Sequence, residues 1–263
     1  MTGRFSFEVV DAVDYDELRP SYAPEAVEWV TERGSLREGS IVVDLAAGTG
    51  QLSRRFADLG VDLVAVEPAA NMRAVLEERL PAIRVVDGTA EGLPLRSRSV
   101  DAVVVGNAFH HFERQTAFAE IHRVLRSGGV LALFWAWPLE DEQRSIPGME
   151  EIYEAADAAR CSSEIATAYR SWADPPTDAE GFGPFERREF RVTHVIPSAR
   201  LADLYATSSD VASLPDQVRA DLLDRIRHLS SRLPDVLRLP ARSVVDLCLR
   251  SEANVTERER AER

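Results

Sequence analysis

The sequence predicts an α/β fold: a doubly wound, mostly parallel seven-stranded sheet with an antiparallel edge strand and a helical cap. Five short apolar runs alternate with helical patterns between residues 41 and 134. Continuous apolar strands separated by helices are typical of βαβ units in a sheet that is buried on both faces. Two later runs, 185–196 and 243–249, supply the remaining strands, and the alternating pattern of the first predicts the antiparallel edge strand.

The predicted elements follow one another at short intervals. The strands are 41–45, 62–66, 83–86, 101–105, 130–134, 185–196 and 243–249, and helical patterns cover 52–59, 71–80, 116–125, 149–169, 199–207 and 216–233. We expect a single domain over residues 1–263. Its parts are an N-terminal lid at 1–35, a cofactor-binding core at 36–138, a helical cap at 139–182 and 198–235, and C-terminal strands at 183–197 and 241–251.

Charge and composition exclude several classes of protein. The chain has 263 residues and a net charge of −13, and 45% of its residues are hydrophobic. Binding a nucleic acid or an anionic membrane needs clustered cations, and no apolar run approaches the ~20 residues that span a bilayer. The cysteines are Cys161 and Cys248, which give no disulfide framework and no cysteine zinc site. The N-terminus lacks a secretory pattern, so we expect a cytoplasmic protein. We also expect no nucleic-acid or membrane partner, and a monomer or homodimer.

Ligands of a parallel sheet lie beyond the carboxyl ends of its strands. The Gly-rich segment 46–50 follows the first strand and opens a helix, so a ligand can approach its backbone closely. Asp44 lies beside this loop, and Glu67 ends the second strand, 17 positions past Gly50. A carboxylate at 44 would repel a pyrophosphate and attract an ammonium, whereas an acid at 67 can accept both hydroxyls of a ribose. A ribose and a positive charge without phosphate indicate S-adenosylmethionine rather than NAD.

Each of these acids also has a simpler interpretation. Asp44 can order the loop or cap the helix, and Glu67 can be a turn residue before Pro68. Short motifs are unreliable when taken singly. The placement of both acids after consecutive strands favours the ligand-binding interpretation.

Five ordered segments resemble the motifs of class I S-adenosylmethionine-dependent methyltransferases. They are 42–50 (VVDLAAGTG), 64–72 (VAVEPAANM), 87–95 (DGTAEGLPL), 101–112 (DAVVVGNAFHHF) and 120–129 (EIHRVLRSGG). Tyr15, Arg19, Pro20 and Tyr22 resemble the Y-x-x-x-R-P-x-Y signature of a small-molecule subgroup that includes the ubiquinone/menaquinone and trans-aconitate methyltransferases. The resemblance covers most of residues 15–137. It implies a Rossmann-like fold, S-adenosyl-L-methionine as cofactor, S-adenosyl-L-homocysteine as product and a small-molecule methyl acceptor.

The resemblance also implies roles for single residues. Asp44 would bind the methionyl ammonium, Arg19 the methionyl carboxylate and Glu67 the ribose hydroxyls, while Met72 would pack on the adenine. The full set that the resemblance places around the cofactor is Tyr15, Arg19, Asp44, Ala46, Gly48, Thr49, Gly50, Glu67, Pro68, Met72, Gly88, Thr89, Ala90, Asn107, Ala108 and His110.

The chemistry of methyl transfer makes few demands on side chains. In-line displacement at a sulfonium methyl needs alignment and exclusion of water, and a base only where the nucleophile arrives protonated. His110 and His111 follow the fourth strand and are the candidate bases; the alternative is that they only shape the loop. Adjacent histidines without a carboxylate at ligand spacing predict no metal. The candidate acceptor-binding residues are Tyr22, His111, Trp135, Trp137 and Tyr169.

Two residues depart from the pattern of the family. Ala46 replaces the usual first glycine of the loop, which we expect to be tolerated only if its φ stays negative. Thr89 replaces the usual aspartate, so the adenine amino group would meet a hydroxyl at best. We expect a methyltransferase acting on a small molecule, and these departures motivate the alternative of a non-catalytic adenosyl-ligand-binding protein. A nicotinamide dehydrogenase is disfavoured by Asp44.

Overall fold

A seven-stranded sheet forms the centre of the protein. The computed structural model describes residues 10–161, 175–177 and 179–251. The strands are β1 (Ile41–Leu45), β2 (Asp62–Val66), β3 (Arg84–Val86), β4 (Val100–Gly106), β5 (Leu125–Pro138), β6 (Glu186–Pro197) and β7 (Val236–Leu249). They lie in the order β3-β2-β1-β4-β5-β7-β6.

The strand directions confirm the predicted fold class. The five strands from β3 to β5 pair in parallel, and β7 is antiparallel to both of its neighbours, β5 and β6. The predicted edge strand is β6, at the end of the sheet. Chain order reverses between β1 and β4, and such a switch point opens a crevice at the carboxyl ends of the two strands.

Helices cover both faces of the sheet. The described helices are α1 (Ala12–Leu18), α2 (Pro24–Arg33), α3 (Gln51–Ala57), α4 (Ala70–Arg79), α5 (Arg114–Val124), α6 (Glu140–Arg144), α7 (Glu150–Cys161), α8 (Leu201–Ala206), α9 (Ser209–Ala212) and α10 (Asp216–Ser230). On one face Phe118 and Ile121 of α5 pack on the sheet. On the other face Trp29 of α2 and Phe56 of α3 are buried. This burial of apolar side chains on both faces stabilises the parallel strands.

The last strand begins earlier than the sequence predicts. We expected it from residue 243, or at most 241, but β7 starts at Val236 and pairs with β6 along its whole length. Pro240 interrupts the apolar pattern, and a proline normally excludes a central strand. Here it is tolerated because β5 ends at the pairing of Pro138 with Ala241, beyond which β7 has no β5 residue to bond. The β6–β7 ribbon therefore projects past the carboxyl end of β5.

The cap packs on this projecting ribbon. Its apolar interior joins Ile152 of α7, Ile226 of α10 and Leu237 of β7 with Leu18 of α1. The predicted helix over 149–169 is present as α7 up to Cys161, and its remainder lies outside the described residues. The cap therefore shares a core with α1, the helix that precedes the sheet.

Polar contacts hold α1 between the core and the cap. The buried carboxylate of Asp16 accepts hydrogen bonds from both terminal nitrogens of Arg54, and the side-chain amide of Gln51 donates to the Asp16 carbonyl at 2.6 Å. On the cap side, Arg200 pairs with Asp14 at 2.6 Å. This helix is thus fixed against α3, whose N-terminal loop is the glycine-rich segment.

Candidate cofactor site

A cleft opens at the carboxyl ends of β1, β2, β3 and β4, and a smaller one adjoins it under α1. The predicted residues that line the larger cleft are Tyr15, Ala46, Gly48, Glu67, Pro68, Met72, Gly88, Thr89, Ala90, Asn107, Ala108 and His111. Those that line the smaller cleft are Tyr15, Arg19, Tyr22, Asp44, Ala46, Gly48 and Asn107. Loops after four separate strands therefore bring most of the predicted site together, because parallel strands end at one edge of the sheet.

Glu67 ends β2 with its carboxylate beside the glycine-rich loop. One oxygen accepts the Gly48 N–H at 2.9 Å and the other accepts the Ala69 N–H at 2.8 Å. Burial raises the pKa of this carboxyl, while these two hydrogen bonds and Arg73 oppose the rise. A carboxylate offers about four acceptor positions, so each oxygen has room for one more donor. Glu67 is thus oriented by the backbone and can accept from two hydroxyls.

Asp44 lies at the end of β1 and is completely buried. Its Oδ2 accepts the hydroxyl of Ser53 at 2.6 Å, whereas Oδ1 accepts no hydrogen bond within the described part of the chain. Burial raises the pKa of Asp44 to about 7; Ser53 opposes this rise and Glu67 adds to it. A buried carboxylate with an unused oxygen is costly unless a donor meets it, so this oxygen marks a place for a cationic group.

Arg19 follows α1 and lines the same small cleft as Asp44. Its Nη2 donates to the Thr207 carbonyl at 2.8 Å, and its guanidinium lies 5.3 Å from the centre of the Tyr15 ring. Its Nε is buried and makes no hydrogen bond to any described residue. The small cleft therefore offers a buried acceptor on one side and a buried donor on another.

The backbone of Ala46 differs from the prediction. Its φ is +56°, in the left-handed region, and not negative as predicted. Asn107, at the end of β4, has φ of +50°, and its side-chain oxygen accepts the Ala136 N–H at 2.9 Å. The alanine side chain cannot form a hydrogen bond that would offset this conformation, so Ala46 carries strain of about 1–2 kcal/mol. The loops after β1 and β4 thus each hold a non-glycine residue with a left-handed backbone conformation where they face the cleft.

The Ala46→Gly variant is expected to be more stable than the wild type by about 1 kcal/mol. Glycine removes the left-handed strain, and the larger freedom of glycine in the unfolded chain offsets part of the gain. Urea unfolding followed by circular dichroism measures the difference. Ala47→Gly is the matched control: it changes the next residue of the loop, whose φ is not positive, and should destabilise. Equal effects of both variants would contradict the strain at Ala46.

The two candidate bases differ in their surroundings. His111 lines the larger cleft, whereas His110 lines neither cleft, and its ring stacks on Trp135 with centroids 5.8 Å apart. Burial lowers the pKa of His110 to about 2, and the neighbouring His111 contributes. An imidazole with so low a pKa is a poor base at neutral pH. The prediction of a catalytic histidine is therefore restricted to His111.

Several other predicted residues lie away from the clefts. Trp135 is buried on the α5 face of the sheet, where its indole N–H donates to Asp246 at 3.3 Å, and Trp137 stacks on it at 5.9 Å. Residues 135 and 137 of β5 share one face of the sheet, since alternate residues of a strand point the same way. Both tryptophans therefore pack into the core on that face, and neither lines a cleft. Thr49 and Gly50 form the entry to α3: Thr49 is buried, and a Cβ on Gly50 would meet Leu76 at 3.2 Å. Tyr169 lies outside the described residues.

Tyr22 borders the smaller cleft in a tightly packed position. Its ring packs edge-on against Phe134 with centroids 5.6 Å apart. A Cβ on Gly106 would come within 2.5 Å of the Tyr22 hydroxyl, so glycine at this position makes room for the tyrosine. Burial raises the pKa of the hydroxyl well above its ordinary value, so it stays protonated.

Some residues at the site were not predicted. Glu91 and Phe112 line the larger cleft, and Gln51 lines the smaller one. Glu91 follows Thr89 by two positions in the same loop, so its place in the motif could have indicated it. Arg73 of α4 contacts the backbone of Glu67, and no signal in the sequence pointed to it.

None of the helices in residues 10–161 and 179–251 is long and apolar enough to cross a membrane. Within the same part of the chain, no three His, Cys, Asp or Glu side chains are grouped so that they could hold a metal ion.

Comparison with known proteins agrees with this geometry. The methyltransferase domain profile matches residues 43–133, which span β1 to β5. An uncharacterised methyltransferase of Mycobacterium tuberculosis is 37% identical over 220 residues, which is 84% of each chain. The demethylmenaquinone methyltransferase of Paenarthrobacter aurescens is 33% identical over 190 residues, covering 62% of this chain and 72% of that protein.

The fold is similar to that of a solved protein from Anaeromyxobacter dehalogenans assigned as a type II methyltransferase. That structure superposes with a TM-score of 0.65 at 20% identity, covering 88% of this chain and 97% of the other. At 20% identity this likeness shows the fold alone. The relative from M. tuberculosis, 37% identical over 84% of each chain, shows the family. The chain therefore belongs to the methyltransferase family.

Proposed function

We propose that the protein is an S-adenosylmethionine-dependent methyltransferase that acts on a small molecule. The observation that carries the proposal is the pair of unused buried atoms in the small cleft, Oδ1 of Asp44 and Nε of Arg19. An anionic acceptor and a cationic donor in one cleft fit the ammonium and carboxylate of an amino acid. The larger cleft continues from there to Glu67 and can take a nucleoside.

The chemistry of the lining supports the nucleoside end. Glu67 has acceptor positions for the two hydroxyls of a ribose, while Met72 and Ala90 provide apolar surface for a base. Thr89 and Glu91 are the polar side chains at that end. An aminoacyl group joined to a nucleoside matches this order of groups better than a dinucleotide, since Asp44 would repel phosphate.

Bound S-adenosylmethionine supplies an electrophilic methyl group on a sulfonium centre. Asp44 and Arg19 would hold the amino-acid end, and Glu67 the ribose, so that the methyl group has a fixed position. Helix α1, tied to α3 and to the cap, would exclude water from this end of the cleft. His111 would accept a proton from an acceptor that arrives protonated.

The proposed acceptor is a small molecule, and its methylated atom is O, N, S or C. The net charge of −13 disfavours a nucleic-acid acceptor. The protein is proposed to be cytoplasmic, to be a monomer or a homodimer, and to have no membrane partner. Trp135 and Trp137 are not part of the proposed acceptor site, because they lie outside the cleft.

The second candidate is a non-catalytic protein that binds an adenosyl ligand on the same fold. The strained Ala46 and the hydroxyl of Thr89 in place of a carboxylate favour it. A methyl-transfer assay with a panel of small-molecule acceptors distinguishes the two candidate functions. Methylation of any acceptor, with sustained formation of S-adenosylhomocysteine, excludes the non-catalytic protein.

Calorimetric titration with S-adenosylmethionine, S-adenosylhomocysteine and NADH tests the cofactor. We expect micromolar binding of both adenosyl ligands and none of NADH. Tight binding of NADH, or no adenosyl binding by a folded protein, would overturn the proposal.

A further inference from the structure

Arg73 lies on α4 outside both clefts, yet it contacts the strand end that carries Glu67. Its Nη1 donates to the carbonyl of Glu67 at 2.8 Å and to the carbonyl of Pro68 at 2.6 Å. The same nitrogen lies 3.4 Å from a carboxylate oxygen of Asp87, which follows β3. One guanidinium therefore joins the segments that follow β2 and β3, which form adjacent walls of the larger cleft.

These bonds fix the backbone from which the Glu67 carboxylate projects. The side chain of Glu67 is held by two backbone N–H groups, from Gly48 and Ala69. Its own carbonyl is held by Arg73. Without Arg73 the peptide between Glu67 and Pro68 would lose a charge-assisted hydrogen bond at a position that is 6% exposed. Rotation of that peptide would move the carboxylate relative to the cleft.

The positive charge of Arg73 has a second effect, on the ionisation of Glu67. The groups that face Glu67 are Asp44 from β1, Asp87 after β3 and Arg73 from α4. Two of these are acids, and burial also disfavours the ionised form of Glu67. Arg73 opposes both influences and lowers the pKa of Glu67. Since the ionised carboxylate accepts from two hydroxyls at once and the protonated one does not, the charge of Arg73 favours the form that binds a diol.

We infer that Arg73 is a positioning residue for the ribose site: it fixes the Glu67–Pro68 backbone and favours the ionised Glu67 carboxylate. The inference rests on the proposed role of Glu67 as the group that accepts the ribose hydroxyls. Arg73 itself does not touch the ligand. Its removal should therefore weaken recognition of the two hydroxyls and leave recognition of the base unchanged.

The first test uses Arg73→Met with adenosine and 2′,3′-dideoxyadenosine as probes. Neither probe has an amino-acid end, so Asp44 and Arg19 do not contribute. We expect the Kd for adenosine to rise about tenfold at pH 7, because a displaced or protonated Glu67 carboxyl would lose about one charge-assisted hydrogen bond from a ribose hydroxyl. The Kd for the dideoxy compound should stay unchanged. Equal losses for both probes would show a general structural effect and overturn the inference.

The second test is the pH profile of adenosine binding. Protonation of Glu67 removes its capacity to accept from both hydroxyls, so affinity falls as the pH falls through its pKa. Without Arg73 that pKa is higher, so Arg73→Met should lose affinity at a higher pH than the wild type. Arg73→Lys keeps the cation and should restore the wild-type profile, with part of the affinity. An unchanged profile in Arg73→Met would contradict the inference.

The third test separates this inference from the proposed function. Combined with Glu67→Gln, Arg73→Met should cost no further adenosine affinity, because it acts through Glu67. Arg126→Met is the matched control: Arg126 pairs with Asp101 at 2.6 Å, outside both clefts, and its loss should not change binding. If the losses of affinity in Arg73→Met and Glu67→Gln add in the double variant, the role of Arg73 is wrong and the proposed ribose site stands. If Glu67→Gln itself binds adenosine normally, the proposed ribose site and the role of Arg73 both fail.

Discussion

Glu67→Ala is expected to weaken the binding of S-adenosylhomocysteine by about 100-fold. Two hydrogen bonds from ribose hydroxyls to a charged acceptor are worth about 3 kcal/mol together. The substitution also leaves the N–H groups of Gly48 and Ala69 without their acceptor, which loosens the glycine-rich loop. Isothermal titration calorimetry measures the change directly.

The control for this prediction is Glu120→Ala. Glu120 is also a carboxylate that accepts a backbone N–H, that of Leu93 at 2.9 Å, but it lines neither cleft. We expect it to alter stability and leave ligand binding within about twofold. If Glu67→Ala and Glu120→Ala weaken binding equally, the effect of Glu67 is structural and the ribose assignment is wrong.

Asp44→Asn is expected to separate ligand binding from stability. The variant loses the negative charge that would meet the ammonium, so S-adenosylhomocysteine should bind about 10- to 100-fold more weakly, the value of a charge-assisted hydrogen bond in a buried site. Adenosine, which has no ammonium, should bind both proteins equally. Equal losses for the two ligands would show that Asp44 acts on the fold and not on the ammonium.

The same variant should change how stability depends on pH. The pKa of Asp44 is raised from 3.8 to about 7 by burial, so the folded protein favours the protonated acid. Its contribution to the free energy of unfolding is therefore greatest below about pH 4 and decreases as the pH rises to about 7. Asparagine does not titrate. From pH 5.5 to 8.5 the free energy of unfolding of the variant should gain on the wild type by about 2 kcal/mol.

Urea unfolding across that range, without ligand, measures this gain. Ser53→Ala provides a second measurement: it removes the hydroxyl that donates to Oδ2 of Asp44, so the pKa of Asp44 should rise further. A constant difference between Asp44→Asn and the wild type at every pH would show that the carboxyl does not titrate in this range.

Much of the site was predictable because it depends on strand order and not on packing. Apolar runs separated by helices predict a parallel sheet, and parallel strands end at one edge. Asp44 and Glu67 lie at the ends of two such runs, so their place at the same edge of the sheet could be inferred from sequence. The glycine-rich segment between β1 and α3 was predictable for the same reason.

Other features depend on contacts that no local pattern reports. Residues 236–240 were not predicted as strand, because Pro240 is compatible with β7 only where β5 has already ended. Trp135 and Trp137 were placed in the acceptor site, but the face of β5 on which they lie is covered by core and not by the cleft. Ala46 has a positive φ that its residue type does not favour.

The sequence by itself determined the fold class, the edge of the sheet at which the site lies and the two acids that define it. These follow from the periods of apolar residues and from short motifs, which are local properties. Only the tertiary structure decided the raised pKa of Asp44, the neutrality of His110 and the place of Arg73 behind Glu67. Each of these depends on burial or on contacts between separate elements, and these arise only when the sheet and its helices pack together.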